Sequence, residues 1–193
     1  MTRLGWVLLG VFALGIAAFL SVTRFGVTDG SRRSQDVPAV VDEPRAGTLA
    51  VPVLGVAREA IQDSWGDARG GGTRAHHGTD IMAPGGTPVL AAASGTVEKL
   101  FQSRLGGTTL YVRSPDRRWI YYYAHLAGYA PGVHEGQQVR AGDRLAFVGD
   151  SGDAGAGNFH LHFGLQHTRP DERWWQGEDV NPYPMLAAAP GRR

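Results

Sequence analysis

Turn-forming residues divide this chain into short segments, and this feature constrains its fold most strongly. Of the 193 residues, 28 are glycine and 11 are proline. No stretch of residues 49–186 carries a long helical period, and residues 58–62 offer one turn at most. Runs rich in β-branched and aromatic side chains, ended by turn signals, lie at 87–92, 96–101, 108–112, 119–125, 145–148 and 159–166. The pattern predicts a mostly β, antiparallel domain, either a sandwich or an open barrel.

The N-terminus has a different character from the rest of the chain. Residues 4–22 are uncharged and predominantly apolar, and as a helix they would measure roughly 28 Å, enough to cross a bilayer. We expect residues 1–24 to be a transmembrane signal anchor. A cleaved signal peptide is the alternative, because small residues at 15–17 have cleavage-like spacing. Residues 25–48 read as a flexible linker, 49–186 as the globular domain and 187–193 as a disordered tail.

Charge and cysteine content exclude several classes of protein. The formal net charge is +1, from 19 basic and 18 acidic residues, whereas a dedicated nucleic-acid-binding domain carries a basic patch or stripe. Because the chain has no cysteine, it contains no disulfide, no thiolate metal site and no cysteine nucleophile. Any metal ion must therefore be bound by nitrogen and oxygen ligands.

Four of the seven histidines fall in two short clusters. One cluster is His76-His77, followed by Asp80, and the other is His160-Leu161-His162. On a strand, residues two apart share a face, so His160 and His162 would project together. Catalytic zinc uses three His or carboxylate ligands and an open position. Either cluster alone is also typical of a polar strand face, but the presence of both favours a metal site.

Three motifs in order give the chain a resemblance to a known family. HHGTD at 76–80 matches a His-x-Gly-x-Asp motif, YAHL at 123–126 an aromatic-x-His-Leu motif, and HLHF at 160–163 a His-Leu-His-Phe motif. Further family-like segments follow the same order: SWGD at 64–67, GTPV at 86–89, GTV at 95–97, GQQV at 136–139, AGD at 141–143 and NP at 181–182. From about residue 51 to 186, the chain resembles the lysostaphin-like, LytM-type zinc metallopeptidases of cell-wall metabolism.

The resemblance implies roles for five residues. His76, Asp80 and His162 would bind one Zn²⁺. His125 and His160 would be the catalytic histidines, one taking a proton from water and the other stabilising the oxyanion. The resemblance leaves open which of the two does which. His77, His134 and His167 are not among these five. We expect His134 and His167 to be exposed, and His77 to lie either at the surface or next to a metal ligand.

Two other groups of residues bear on the substrate groove. We expect most of the strand aromatics to pack in the core, with one or two beside the groove; they are Phe101, Tyr111, Trp119, Tyr121, Tyr122 and Tyr123. The loop at 149–159 departs from the family, because Asn158-Phe159 stands where relatives often have a small residue and proline. This loop lines the groove in relatives, so the departure concerns substrate preference and leaves the metal motif intact.

The expected function is hydrolysis of peptide cross-links in bacterial peptidoglycan by a zinc metalloendopeptidase. The alternative is a catalytically inactive LytM-type domain that binds and activates another cell-wall hydrolase. A lipoyl-like carrier is disfavoured, because Lys99 is the only lysine and stands at no predicted hairpin tip. We expect a single-pass inner-membrane protein with its domain in the periplasm, or a secreted one if the N-terminal segment is cleaved. Arg24, Arg32 and Arg33 oppose this orientation under the positive-inside rule.

Overall fold

The computed structural model describes residues 49–187. The expected transmembrane segment at 1–24, the linker at 25–48 and nearly all of the expected tail lie outside the described residues. Within residues 49–187, no helix has the length and apolar character needed to cross a membrane.

Eleven strands make up most of the regular structure in this part of the chain. They are β1 (Ala68–Arg69), β2 (Arg74–Ala75), β3 (Thr79–Met82), β4 (Pro88–Leu90), β5 (Gly95–Ser103), β6 (Gly107–Arg113), β7 (Trp119–Tyr129), β8 (Gln138–Val139), β9 (Arg144–Val148), β10 (His160–His167) and β11 (Glu178–Val180). A 3-10 helix at Arg58–Ala60 and a short helix, α1 (Tyr183–Leu186), complete the elements. The mostly β prediction is confirmed, and the single turn expected near residue 58 is present.

One curled nine-stranded sheet carries the fold, and β1 and β2 form a separate two-stranded ribbon. Every pairing between these strands is antiparallel. The order along the large sheet is β11-β10-β7-β6-β5-β8, with β3 joined to β10 and β9 joined to β4 and β7. Of the two predicted architectures, the structure has the open barrel, because a single curled sheet replaces two packed sheets.

The long central strand β7 changes partner at His125. Residues 119–124 pair with β10, whereas Leu126 and the residues after it pair with β9. At the change, His125 has φ +59°, in the left-handed region that residues other than glycine rarely adopt. Its amide donates to the Gly106 carbonyl at 2.8 Å, which supports this backbone conformation. The curl of the sheet therefore places a histidine at its bend.

Side chains of β10 alternate between the core and an open face. Leu161, Phe163 and Leu165 are buried in the hydrophobic core, and the ring of Phe163 meets that of Tyr123 at 5.3 Å, nearly edge to face. The intervening residues of β10 lie on the other face, among them both motif histidines. The predicted alternation of side chains along this strand is confirmed, and it places His160 and His162 on the same side of the sheet.

Candidate active site

Strand register brings two of the expected ligands together. His162 on β10 is directly opposite Asp80 on β3, and opposed residues in an antiparallel pair project from the same face. His76 lies just after β2, outside any strand, and reaches the cluster from the segment that joins β2 to β3. The three residues nevertheless meet as a group able to hold a metal ion.

The spacing of the three ligand atoms fits zinc. His76 Nε2 lies 2.8 Å from His162 Nδ1 and 3.0 Å from Asp80 Oδ1, and the two latter atoms are 3.2 Å apart. Zinc bonds of roughly 2.0–2.1 Å at tetrahedral angles separate ligand atoms by about 3.3–3.4 Å. The observed triangle is only slightly tighter, and a donor set of two imidazoles and one carboxylate leaves a fourth position open.

Ser64 positions two of these residues. Its carbonyl accepts a hydrogen bond from His76 Nδ1 at 2.7 Å, which leaves His76 Nε2 with its lone pair towards the cluster. Its hydroxyl accepts the amide hydrogen of Asp80 at 3.0 Å. Sequence reasoning recognised Ser64 only as part of a family-like segment and gave it no role. The available signal was the segment's place in the chain, since Ser64 stands 12 residues before His76.

Asp80 divides its two oxygens between the cluster and an arginine. Oδ1 lies in the ligand triangle, while Oδ2 accepts a hydrogen bond from Arg69 Nη2 at 2.5 Å. Burial by itself would raise the pKa of Asp80, but its interactions with the His162 and His76 rings lower it well below its usual range. The carboxylate is therefore ionised throughout the neutral range, as a metal ligand requires.

The two expected catalytic histidines are oriented by backbone carbonyls. His125 Nδ1 donates to the Ser151 carbonyl and His160 Nδ1 to the Asn158 carbonyl, each at 2.8 Å. In the neutral tautomer, each ring then offers Nε2 as a proton acceptor. The ring centroids of His125 and His160 are 4.8 Å apart, and His160 Nε2 is 3.8 Å from Asp80 Oδ1. Burial lowers the pKa of His125, which favours the neutral form.

All five expected site residues line one open groove of about 750 Å³. Tyr111 and Tyr122, with ring centroids 4.7 Å apart, form part of the same lining. Tyr121 and Tyr123 are buried instead. The prediction that one or two strand aromatics flank the groove is confirmed, but the prediction that most pack in the core is not. Trp119 is only partly buried against the core, and Phe101 is exposed.

The structure gives a specific reason for a glycine at position 78. A glycine between two candidate ligands leaves room for a close approach by a metal or by backbone. A Cβ there would lie 2.6 Å from His162 Cε1 and 2.7 Å from His162 Nε2, so the His162 ring itself occupies the space. The glycine of the first motif therefore makes room for the histidine of the third.

The remaining histidines stand apart from the ligand triangle. His77 is exposed, hydrogen-bonds Asp179 through Nδ1 at 2.9 Å and stacks on Trp65. His134 and His167 are exposed, and neither lines the groove. The predicted exposure of His134 and His167 is confirmed, and of the two positions expected for His77 the structure has the one at the surface.

The loop at 149–159 contributes directly to the groove. Asp153, Ala154 and Asn158 line it, and the Ser151 and Asn158 carbonyls orient the two catalytic candidates. The expectation that this loop borders the groove is confirmed. Of the two residues that depart from the family pattern, Asn158 lines the groove, whereas the Phe159 ring lies beside Gly85.

Comparison with known proteins is consistent with this geometry. The family model described as Peptidase family M23 matches residues 74–182. The L-Ala–D-Glu endopeptidase of Bacillus subtilis (strain 168) is 40% identical over 180 residues, covering 86% of this chain and 54% of that protein. The peptidoglycan DD-endopeptidase ShyC of Vibrio cholerae is 34% identical over 93 residues, covering 48% of this chain and 21% of that protein.

A solved structure shows the same fold. The catalytic domain of the antimicrobial peptidase lysostaphin from Staphylococcus simulans superposes with a TM-score of 0.53 at 28% identity, covering 65% of this chain and 90% of that domain. The chain spans about half the length of the Bacillus protein and about a fifth of the Vibrio protein. The family match over more than half of the sequence confirms the LytM-type resemblance, and the chain belongs to peptidase family M23.

Proposed function

We propose that this protein is a zinc metalloendopeptidase that hydrolyses peptide bonds in bacterial peptidoglycan. One observation carries the proposal: three ligand atoms converge within 3.2 Å of one another beside two histidines whose Nδ1 atoms are anchored to carbonyls. A purely structural cluster has no need of two further oriented imidazoles in the same groove. The Vibrio relative is a peptidoglycan DD-endopeptidase and the Bacillus relative an L-Ala–D-Glu endopeptidase, and these two names support the choice of substrate.

His76, Asp80 and His162 would hold the zinc ion. When bound, zinc would lower the pKa of its water to near neutrality, and the ion would also polarise the scissile carbonyl. His125 and His160 each keep Nε2 directed away from a backbone partner. The neutral ring of one accepts the proton of the attacking water, while the other, when its Nε2 is protonated, donates a hydrogen bond to the developing oxyanion. The backbone anchors at Ser151 and Asn158 hold both rings in place during proton transfer.

Separate variants test metal binding and proton transfer. Asp80→Ala and His162→Ala are expected to lose bound zinc, measured as metal per chain on the purified protein. His125→Ala is expected to keep zinc and lose turnover of purified muropeptides, followed by mass spectrometry. His134→Ala, at an exposed position outside the groove, serves as the matched control and should retain both. Full turnover by His125→Ala would refute the two-histidine assignment.

The same experiment separates the alternative function. An inactive domain that activates another hydrolase would cleave no muropeptide in its zinc-bound state, yet would raise the rate of a partner hydrolase added to the assay. The presence of all three ligands and both additional histidines disfavours that interpretation.

We also propose that the N-terminal segment anchors the protein in the inner membrane with its domain facing the cell wall, since the substrate lies there. Protease treatment of spheroplasts tests this topology. Degradation of the domain without lysis is the expected result, and protection until lysis would contradict it.

A further inference from the structure

Two arginines face each other on the small β1–β2 ribbon. Arg69 and Arg74 are direct cross-strand partners, so their side chains leave the same face of the ribbon. The connecting turn contains Gly70, Gly71 and Gly72, all with positive φ. Like charges placed directly opposite each other destabilise a strand pair. The repulsion between Arg69 and Arg74 therefore does not help to stabilise this short ribbon, so their pairing needs another explanation.

Both arginines line the groove that contains the ligand triangle. Arg69 donates to Asp80 Oδ2, on the carboxylate whose other oxygen belongs to the ligand triangle. Arg74 reaches Asp153, in the loop that carries the Ser151 carbonyl, through Nη2 at 2.8 Å. Both guanidinium groups are thus positioned by carboxylates, and both belong to the groove lining.

The Arg74–Asp153 contact is exchangeable. Its side chains are 44% and 41% exposed, and ion pairs at such exposure contribute little free energy. The contact engages one N–H group of Arg74, whereas a guanidinium presents five donors in a planar fork that matches a carboxylate in two-point fashion. An incoming carboxylate can therefore bind Arg74 beside Asp153 or in its place.

We propose that Arg69 and Arg74 form a subsite for a substrate carboxylate close to the cleaved bond. This inference rests on the proposed function. A single Asp80 side chain connects the ligand triangle to Arg69. Because each peptide residue spans about 3.3–3.6 Å, the substrate carboxylate that reaches this subsite lies within one or two residues of the scissile carbonyl. The matching substrate is an acidic stem peptide, because an uncharged glycine bridge offers no partner to either guanidinium.

The test uses the full chain loaded with zinc and pairs of muropeptides that differ in one group. In one pair, the α-carboxyl of the D-Glu residue is a carboxylate or a carboxamide; in the other, the free carboxyl of diaminopimelate is varied in the same way. We expect kcat/KM to favour the acid form by about tenfold or more in one pair, as for a charge-assisted contact. The pair that shows the preference identifies which carboxylate is bound.

Arg74→Gln leaves a shorter, uncharged side chain that still carries N–H donors, so it removes the charge and the five-donor fork together. We expect its acid-to-amide ratio to fall close to one, while Arg140→Gln, at an exposed arginine outside the groove, keeps the wild-type ratio. Equal cleavage of acid and amide forms by the wild type would overturn the inference and leave the proposed function standing. An unchanged ratio in Arg74→Gln would also overturn it.

A binding measurement keeps the inference testable if the wild type cleaves nothing. Calorimetry with the same acid and amide stem peptides is then expected to show tighter binding of the acid form by a similar factor, lost in Arg74→Gln. Equal dissociation constants for the two forms would refute the subsite. Absence of cleavage together with selective binding would refute only the proposed hydrolysis.

Discussion

At the scale of single residues, the site depends on which atom of each histidine is available. His76, His125 and His160 all give Nδ1 to a backbone carbonyl, whereas His162 turns Nδ1 towards Asp80. The difference arises because the His162 ring packs against the backbone of Gly78, where no side chain stands. One missing Cβ therefore determines how a candidate metal ligand is oriented.

Gly78→Ala is predicted to damage the metal site selectively. The new Cβ would overlap the His162 ring and also lie 2.9 Å from the Phe163 carbonyl, so the ring must shift. We expect a stability loss of about 1–3 kcal/mol and zinc affinity lower by about 10–100-fold, measured by denaturation and chelator competition. Gly128→Ala is the control, because a Cβ there meets no atom within 4 Å. Equal effects of the two substitutions would contradict this explanation.

The pH dependence of hydrolysis should reflect His125. Burial lowers the pKa of His125, so the ring remains neutral to a pH below the ordinary histidine value of about 6.5. As pH falls through the lowered pKa, the ring gains a proton and loses its acceptor, and kcat/KM falls. We expect the acidic limb of the profile to lie below pH 6.5 and to be absent from the residual activity of His125→Gln. His167→Gln, at an exposed site, should reproduce the wild-type profile, and an acidic limb that persists in His125→Gln would exclude His125 as its source.

At the scale of elements, strand β7 and the loop at 149–159 meet at the bend that carries His125. Ser151 joins them: its hydroxyl donates to the Leu126 carbonyl at 2.8 Å and accepts the Thr108 amide hydrogen at 3.0 Å. Its carbonyl accepts the hydrogen bond from His125. A loop that departs from the family pattern is thereby attached to the strand that presents a catalytic candidate.

Ser151→Ala is predicted to reduce both stability and turnover. Loss of the hydroxyl leaves the Thr108 amide and Leu126 carbonyl without this partner, at a cost of about 1–3 kcal/mol. The loop that supplies the His125 anchor loosens, so kcat should fall while zinc content stays constant. Ser94→Ala is the control, since its hydroxyl accepts only a 3.4 Å contact on an exposed turn and should change stability by no more than about 0.5 kcal/mol. A kcat equal to wild type would show that the loop keeps its anchor without the hydroxyl.

At the scale of the whole domain, the candidate metal centre connects segments that are distant along the chain. His76 and His162 are 86 positions apart, and β3 joins the large sheet through β10. A ligand that binds only the folded state stabilises it in proportion to the logarithm of its concentration. Zinc should therefore reinforce the attachment of the first motif to the sheet.

Removal of zinc by a chelator is predicted to lower the thermal midpoint. With free zinc a thousandfold above its dissociation constant, binding contributes about 4 kcal/mol to the free energy of unfolding. Scanning calorimetry of the full chain with and without chelator measures the shift. Asp80→Ala, which lacks one ligand, should give the same midpoint in both conditions. A wild-type midpoint insensitive to chelation would contradict a folded-state zinc site.

Local sequence information is sufficient for the longer strands and for the motif residues, but not for β3 and β11. Alternation along 160–166 follows from backbone geometry, so the sequence alone assigns His160 and His162 to one face and Leu161 to the core. The turns are readable because glycine and proline act on neighbouring dihedral angles. The four-residue helix α1 and the two-residue strands β1 and β2 contain too few residues for a period, and the sequence does not predict them.

What the sequence alone determined is the β class, the family and the identity of the residues that meet in the groove. Tertiary structure decided the open barrel, the roles of Ser64 and Arg69, the partner change of β7 at His125 and the nitrogen that each histidine offers. These features depend on hydrogen bonds and close contacts between distant segments, such as Asp80 with His162. The conformational preferences of neighbouring residues carry no information about such contacts, because the contacts form only when the curled sheet brings the segments together.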